Sequence, residues 1–150
     1  MGRTTYVSRT EQDEVKPLDF ALLSLEGLSV GDALGAALGE GKTSPKASQL
    51  IRNREVPPGP WEWTDDTHMS LSIVEVLTEY GEIDQDALAG LFSERFAEDP
   101  FRGYGRGAGD LLSRLGAGDS WRELSPRLFD GGSYGNGAAC LLYTSDAADK

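Results

Sequence analysis

Cysteine is almost missing from this sequence of 150 residues, in which Cys140 is the single one. A disulfide within the chain is therefore excluded, and we expect a cytoplasmic location, because disulfide frameworks belong to oxidising compartments. Long apolar runs are missing too. No uninterrupted run approaches the roughly 18 residues of a transmembrane helix, and no apolar stretch precedes Leu18. We therefore expect neither a membrane span nor a secretory signal peptide.

Basic residues are scarce relative to acidic ones. The sequence has 14 Lys and Arg against 25 Asp and Glu, which gives a net charge of −11. A nucleic-acid partner is not expected, because a phosphate backbone has to be neutralised by Lys and Arg side chains. A small anion held by backbone amides remains compatible with this charge. The hydrophobic content of 39%, together with 19 glycines, is typical of a globular chain.

The spacing of apolar residues predicts helices throughout. They are expected, in order, at 18–38, from Asp65 to Gly81, from Asp84 to Pro100, at 109–115 and within 121–129. Residues 39–63 are predicted to form a long loop and 101–109 a glycine-rich loop. Because no segment shows the alternation of a strand, the sequence predicts an all-α protein.

The first predicted helix contains three glycines spaced four residues apart, Gly27, Gly31 and Gly35. Each costs about 1 kcal/mol relative to alanine in a helix, so the spacing predicts close approach by another backbone. Asp32 lies within the same apolar segment. It is either an exposed or capping acid at the edge of the helix or a buried acid that requires a partner.

Thr64, Asp65, Asp66 and Thr67 stand together at a predicted loop-to-helix junction. One interpretation is structural, since Thr64 or Asp65 can cap the helix and acidic residues suit its first turn. The other is a metal site, since adjacent carboxylates and hydroxyls are the oxygen ligands that Mg²⁺ and Mn²⁺ prefer. The four residues alone do not decide between the two.

Two further features allow both a structural and a functional interpretation. The glycine-rich segment 132–137 is either a flexible turn or a loop whose backbone approaches a phosphate closely. Trp61 and Trp63 either pack or stack on a base. The lone histidine, His68, is more typical of a structural role than of a metal ligand.

In this order, the motifs resemble those of the ADP-ribosylglycohydrolase family. The matching stretches are GLSVGDALGAAL at 27–38, WEWTDDTHMSLSIVEVL at 61–77, IDQDALAGLFSERFAEDPFRGYGRGAG at 83–109 and GGSYGNGAA at 131–139. The resemblance implies an all-α fold, two Mg²⁺ ions (or Mn²⁺), and hydrolysis of the glycosidic bond that joins ADP-ribose to a modified side chain or a related acceptor. The implied partners are ADP-ribosylated proteins or small ADP-ribose conjugates.

The resemblance also assigns residues. Thr64, Asp65 and Asp66 match the family's first group of metal ligands, and Asp65 or Asp66 is the implied group that orients the attacking water. The implied loop around the diphosphate and ribose consists of Ser133, Tyr134, Gly135, Asn136 and Gly137.

Several departures from the family pattern affect what we expect of this chain. The second metal-ligand motif, of DxD[ST] type, does not occur in the sequence, and Asp146 and Asp149 do not match it. Relatives carry an acid shortly after GDALG, for which Glu40 is the nearest candidate, one position away. Residues 140–150 resemble translated adapter sequence and are expected to be non-native.

We therefore divide the chain into a flexible leader at 1–17, the N-terminal part of an incomplete family domain at 18–139, and the tail at 140–150. The fragment itself is expected to be inactive. The alternative is a non-catalytic protein on the same fold, which either binds ADP-ribose or has a structural role of the crystallin type.

Overall fold

The computed structural model of the chain describes residues 17–39 and 45–129. Its helices are α1 Pro17–Gly39, α2 Pro45–Asn53, α3 Asp65–Tyr80, α4 Gln85–Glu98, α5 Arg106–Gly116 and α6 Trp121–Leu124, and a short 3-10 turn follows at Ser125–Arg127. These two ranges contain no strand, so the predicted all-α fold is confirmed.

Helix α3 is the centre of the arrangement. It packs against α1 on one side and α4 on the other, while α5 packs against α4. Its buried residues are spread around most of the helix: Thr67, His68, Ser70, Ser72, Ile73, Val74 and Val76. Asp65 and Asp66 therefore lie in the first turn of α3, the helix that is most completely covered by neighbouring helices.

The boundaries of α3 and α4 confirm the predictions because both are set locally. Gly81 ends α3 with φ 75°, and its N–H donates to the carbonyl of Leu77 at 3.0 Å. Asp84 begins α4, since its carboxylate accepts the backbone N–H groups of Asp86 at 3.0 Å and Ala87 at 2.8 Å.

Two boundary predictions were wrong. The region predicted as a loop at 39–63 contains α2, which starts with Pro45 at a position where a helix tolerates proline. Helix α5 begins at Arg106, about one turn before the predicted 109–115. The low helix propensity of its glycines is offset by packing, because the ring of Phe129 lies directly on Gly107.

The glycine face of α1 is open in the described part of the chain. Cβ atoms built on Gly27, Gly31 and Gly35 meet nothing within 4 Å among residues 17–39 and 45–129. The predicted close approach of another backbone is therefore not present within these ranges. Leu23 and Val30 on the same helix are 66% and 60% exposed.

Helix α1 was also compared with the length and hydropathy of a membrane-spanning helix. Among the described helices it is long and apolar enough to cross a membrane by length and composition, with a hydropathy of 1.4. This does not overturn the prediction that the chain has no membrane span, which was based on the absence of a long uninterrupted apolar run. The finding is weak evidence for a span, because core helices of soluble proteins and signal sequences meet the same criterion.

The C-terminal part of the described chain is tied to the start of α4. The carboxylate of Asp86 accepts from Trp121 Nε1 at 2.7 Å and from both terminal nitrogens of Arg122 at 2.6 and 3.0 Å. Hydrogen bonds from Arg122 and then Trp121 lower the pKa of Asp86. These contacts fix α6 and the direction in which the chain continues to Phe129.

Candidate active site

Asp32 of α1 is the hydrogen-bond centre of the site. Its carboxylate accepts from the backbone N–H of Thr64 at 2.7 Å and from the Thr64 hydroxyl at 2.6 Å. It also accepts from the N–H of Thr67 at 3.3 Å and from the Thr67 hydroxyl at 2.6 Å. Charge-assisted bonds of this kind are about twice as strong as neutral ones.

This network supplies the N-terminal cap of α3 from another helix. Thr64 occupies the predicted cap position, with φ −105° and ψ −163°, but its own side chain makes no capping bond. The Asp32 carboxylate satisfies the N–H groups of Thr64 and Thr67 instead. Asp32 is therefore a capping residue, as one of the two interpretations held, but it caps α3 and not α1, the helix in which it lies.

Asp65 and Asp66 occupy the first turn of α3, directly beside this network. Burial, followed by the charge of Asp66, raises the pKa of Asp65, and the Asp65 backbone N–H and Thr64 act in the opposite direction. Two half-buried carboxylates that are adjacent in sequence repel each other. The environment therefore favours a positive charge at this position.

The oxygen donors present here fit a hard divalent cation. They are the carboxylates of Asp65 and Asp66 and the hydroxyl of Thr64, which donates its proton to Asp32 and so keeps lone pairs for another partner. The described ranges contain no group of three or more His, Cys, Asp and Glu placed to hold a metal. These three residues therefore form a partial ligand set.

The loop before α5 closes one side of the site. The Asp65 N–H donates to the carbonyl of Arg102 at 2.7 Å. Gly103 follows with φ 91°, and a Cβ at this position would lie 3.6 Å from Asp65 Oδ1. Glycine is favoured here both by its backbone conformation and by the closeness of the carboxylate.

Arg102 connects this loop to the segment that precedes α3. Its Nε lies 2.8 Å from Asp99 Oδ2, and one terminal nitrogen donates to the Trp63 carbonyl at 3.2 Å. The guanidinium carbon lies 5.4 Å from the Trp63 ring centre, which is a cation–π contact. Trp61 has a packing role instead, since its Nε1 donates to the Pro57 carbonyl at 3.0 Å.

His68 is buried beneath the site and has a structural partner. Its Nδ1 lies 2.9 Å from the Tyr104 hydroxyl, and Tyr104 packs edge-on against Phe96 with ring centres 5.0 Å apart. Burial, then Arg95, lowers the pKa of His68, and burial raises that of Tyr104 to about 12. The structure thus assigns His68 the structural role that the sequence favoured.

We predict that Tyr104→Phe lowers the free energy of unfolding by about 1–2 kcal/mol, because the buried His68 ring nitrogen loses its partner. The measurement is urea unfolding of the chain followed by circular dichroism. Tyr80→Phe is the matched control, since Tyr80 is 50% exposed at the end of α3. Equal stability of Tyr104→Phe and wild type would contradict the assignment of this bond as stabilising.

The structure brings together Thr64, Asp65 and Asp66, as the sequence predicted. Asp32 and the backbone of Arg102 were not among the predicted site residues, although a lone acid in an apolar helix is a signal that a partner must exist. The predicted substrate loop at 133–137 lies outside the described residues, as do Glu40 and the tail at 140–150.

Comparison with known proteins identifies the family of this chain. The ADP-ribosylglycohydrolase family model matches residues 13–145. The ADP-ribosylhydrolase ARH3 of Xenopus tropicalis is 38% identical over 125 residues, which cover 77% of this chain and 35% of that protein. The ADP-ribosylhydrolase ARH3 of Gallus gallus is 33% identical over 132 residues, covering 77% and 36%.

A putative ADP-ribosyl glycohydrolase, L543 of Acanthamoeba polyphaga mimivirus, is 29% identical over 127 residues, which cover 78% of this chain and 38% of that protein. The chain thus spans 35–38% of the length of these relatives. The family match covers most of the sequence, including α1 and the Thr64–Asp66 turn. This chain belongs to the ADP-ribosylglycohydrolase family.

Proposed function

We propose that this chain is part of a Mg²⁺-dependent hydrolase that cleaves the glycosidic bond between ADP-ribose and a modified side chain or a related acceptor. The observation that carries the proposal is the fixed turn Thr64–Asp66 in a family member, where Asp32 accepts four hydrogen bonds at the start of α3. A cytoplasmic location remains part of the proposal.

Thr64, Asp65 and Asp66 would hold the cation. When bound, a hard divalent cation polarises oxygen atoms of the substrate and makes a water molecule more acidic. Asp32 keeps the three ligands in place by fixing the Thr64 backbone and hydroxyl. An oxygen of Asp65 or Asp66 orients the water that attacks the anomeric carbon by accepting a hydrogen bond from it.

A chain with a net charge of −11 requires a way to bind an anionic substrate without many basic side chains. In the proposal, the cation and backbone N–H groups of the loop at 133–137 share this task.

The proposal predicts metal-dependent binding and hydrolysis. Isothermal titration of ADP-ribose and release of ADP-ribose from modified protein are measured with Mg²⁺, with EDTA, and after Mg²⁺ is restored. We expect binding to disappear in EDTA and to return with Mg²⁺ or Mn²⁺. Because the chain spans 35–38% of the relatives' length, both the 150-residue chain and the gene product with its native downstream sequence are tested.

We expect hydrolysis by the longer product and none by the 150-residue chain. Hydrolysis that EDTA leaves unchanged would overturn the metal dependence. Mg²⁺-dependent binding without hydrolysis by the longer product would favour the non-catalytic alternative. If neither product bound ADP-ribose, the proposed function itself would be wrong.

A further inference from the structure

Arg102 holds the peptide groups on both sides of Thr64. One terminal nitrogen of its guanidinium donates to the carbonyl of Trp63 at 3.2 Å, and this carbonyl belongs to the peptide group that precedes Thr64. The main-chain carbonyl of Arg102 accepts the N–H of Asp65 at 2.7 Å, and this N–H belongs to the peptide group that follows Thr64. The candidate ligand Thr64 is therefore bracketed by the side chain and the main chain of one residue from a distant part of the sequence.

The peptide group between Trp63 and Thr64 is held at both of its polar ends by charged side chains. Its carbonyl accepts from Arg102, and its N–H donates to Asp32 at 2.7 Å. Asp32 lies on α1, whereas Arg102 lies in the loop before α5. Because a peptide group is planar, it cannot rotate without breaking one of these two bonds, and bonds to charged groups are about twice as strong as neutral ones. The backbone of Thr64 is thereby fixed from two sides.

The Arg102 side chain is itself fixed in position. Its Nε lies 2.8 Å from Asp99 Oδ2, its guanidinium carbon lies 5.4 Å from the centre of the Trp63 ring, and 27% of the side chain is exposed. The other carboxylate oxygen of Asp99 accepts the N–H of Phe101 at 3.3 Å. The N–H of Asp99 donates to the carbonyl of Arg95 at 3.1 Å, at the end of α4. Asp99 thus attaches the guanidinium of Arg102 to α4.

The charge of Arg102 and its hydrogen bonds have opposite effects on cation binding. A positive charge near Asp65 and Asp66 weakens the binding of a divalent cation, because like charges repel each other. A residue that acted only through its charge would therefore increase the affinity for the cation when it is replaced. A residue that orients the ligands would decrease the affinity when it is replaced.

We propose that Arg102 is a positioning residue of the candidate cation site, which orients the ligands Thr64 and Asp65 without contacting the cation or the substrate. Its guanidinium and its carbonyl hold the two peptide groups that flank Thr64. Loss of an outer partner of this kind reduces metal affinity by roughly 10–100-fold. This role rests on the proposed function and adds to it the residue that connects the site to α4.

The test is Arg102→Met in the longer gene product, since methionine removes the guanidinium and leaves the main-chain carbonyl in place. Electron paramagnetic resonance of Mn²⁺ measures the Kd for the cation without substrate, so the result does not depend on hydrolysis. We expect this Kd to rise about tenfold. Arg102→Lys keeps the charge but lacks the planar fork that reaches both Trp63 and Asp99, so its Kd is expected to rise as well.

Arg114→Met is the matched control. Arg114 lies in the last turn of α5, and its Nε lies 2.8 Å from Asp119 Oδ2, the same distance as in the pair of Arg102 and Asp99. The Kd for Mn²⁺ in this variant is expected to stay within about twofold of the wild type. A melting curve of each variant shows that the fold is kept, and if Arg102→Met does not fold, Arg102→Lys decides the question.

Two results would overturn the positioning role. One is an unchanged or lower Kd for Mn²⁺ in both folded Arg102 variants. The other is weaker binding of ADP-ribose at an unchanged Kd for Mn²⁺, which would make Arg102 a substrate contact. If the wild-type longer product binds no Mn²⁺, the proposed cation site fails and this role fails with it. Binding of Mn²⁺ that is equally tight in the wild type and in Arg102→Met would refute the role alone.

Discussion

Alanine in place of Asp32 is expected to lower the free energy of unfolding of the chain by about 3 kcal/mol. The change removes the acceptor of four hydrogen bonds and leaves the donors of half-buried Thr64 and buried Thr67 without that partner. The start of α3 loses its cap at the same time, so Asp65 and Asp66 lose their fixed positions.

Urea unfolding followed by circular dichroism measures this effect. Glu26→Ala is the matched control, since Glu26 is an exposed acid on the same helix, and its effect is expected to stay within about 0.5 kcal/mol. Combining Asp32→Ala with Thr67→Val tests the network directly. If the two changes were additive, the coupling that the geometry indicates would be absent.

The second large effect concerns chemistry, not stability. Asp65→Asn and Asp66→Asn in the longer gene product are each expected to reduce hydrolysis of ADP-ribose conjugates by about 100-fold or more, because an amide would replace a carboxylate that is proposed to bind the cation. The helix itself should persist, since asparagine is tolerated in a first turn and Asp32 still caps α3.

Release of ADP-ribose at saturating Mg²⁺ measures this loss, and a melting curve of each variant shows that the fold is kept. Glu79→Gln is the control, because Glu79 is an exposed acid near the other end of α3. Full activity in both asparagine variants would mean that Thr64, Asp65 and Asp66 are not metal ligands.

The helices that local signals delimit were predictable from the sequence. Gly81 and Asp84 mark the end of α3 and the start of α4 through contacts within a few residues, and the structure shows both. Helix α2 was missed because its nine residues lie among the Gly, Ser and Pro residues that favour a loop. Periodicity over so short a stretch does not reveal a helix.

The candidate site also contains some residues that the sequence could predict and others that it could not. Thr64, Asp65 and Asp66 could be proposed from the sequence because they are consecutive and resemble a family motif. The role of Asp32 was not determined, because it depends on how α1 and α3 are aligned, and Asp32 and Thr64 are 32 positions apart in the sequence. The approach of Arg102 and Gly103 to Asp65 depends likewise on how the loop before α5 folds back, and side-chain spacing gives no direct signal of it.

The Asp32 anchor also has a kinetic consequence. It is a contact of high sequence separation, so the loop between α1 and α3 has to close before the capping bonds form. During synthesis α1 leaves the ribosome before α3. The Asp32 carboxylate therefore stays exposed to water until Thr67 has been added. The turn Thr64–Asp66 is therefore completed only when α1 and α3, which are distant in sequence, have come together.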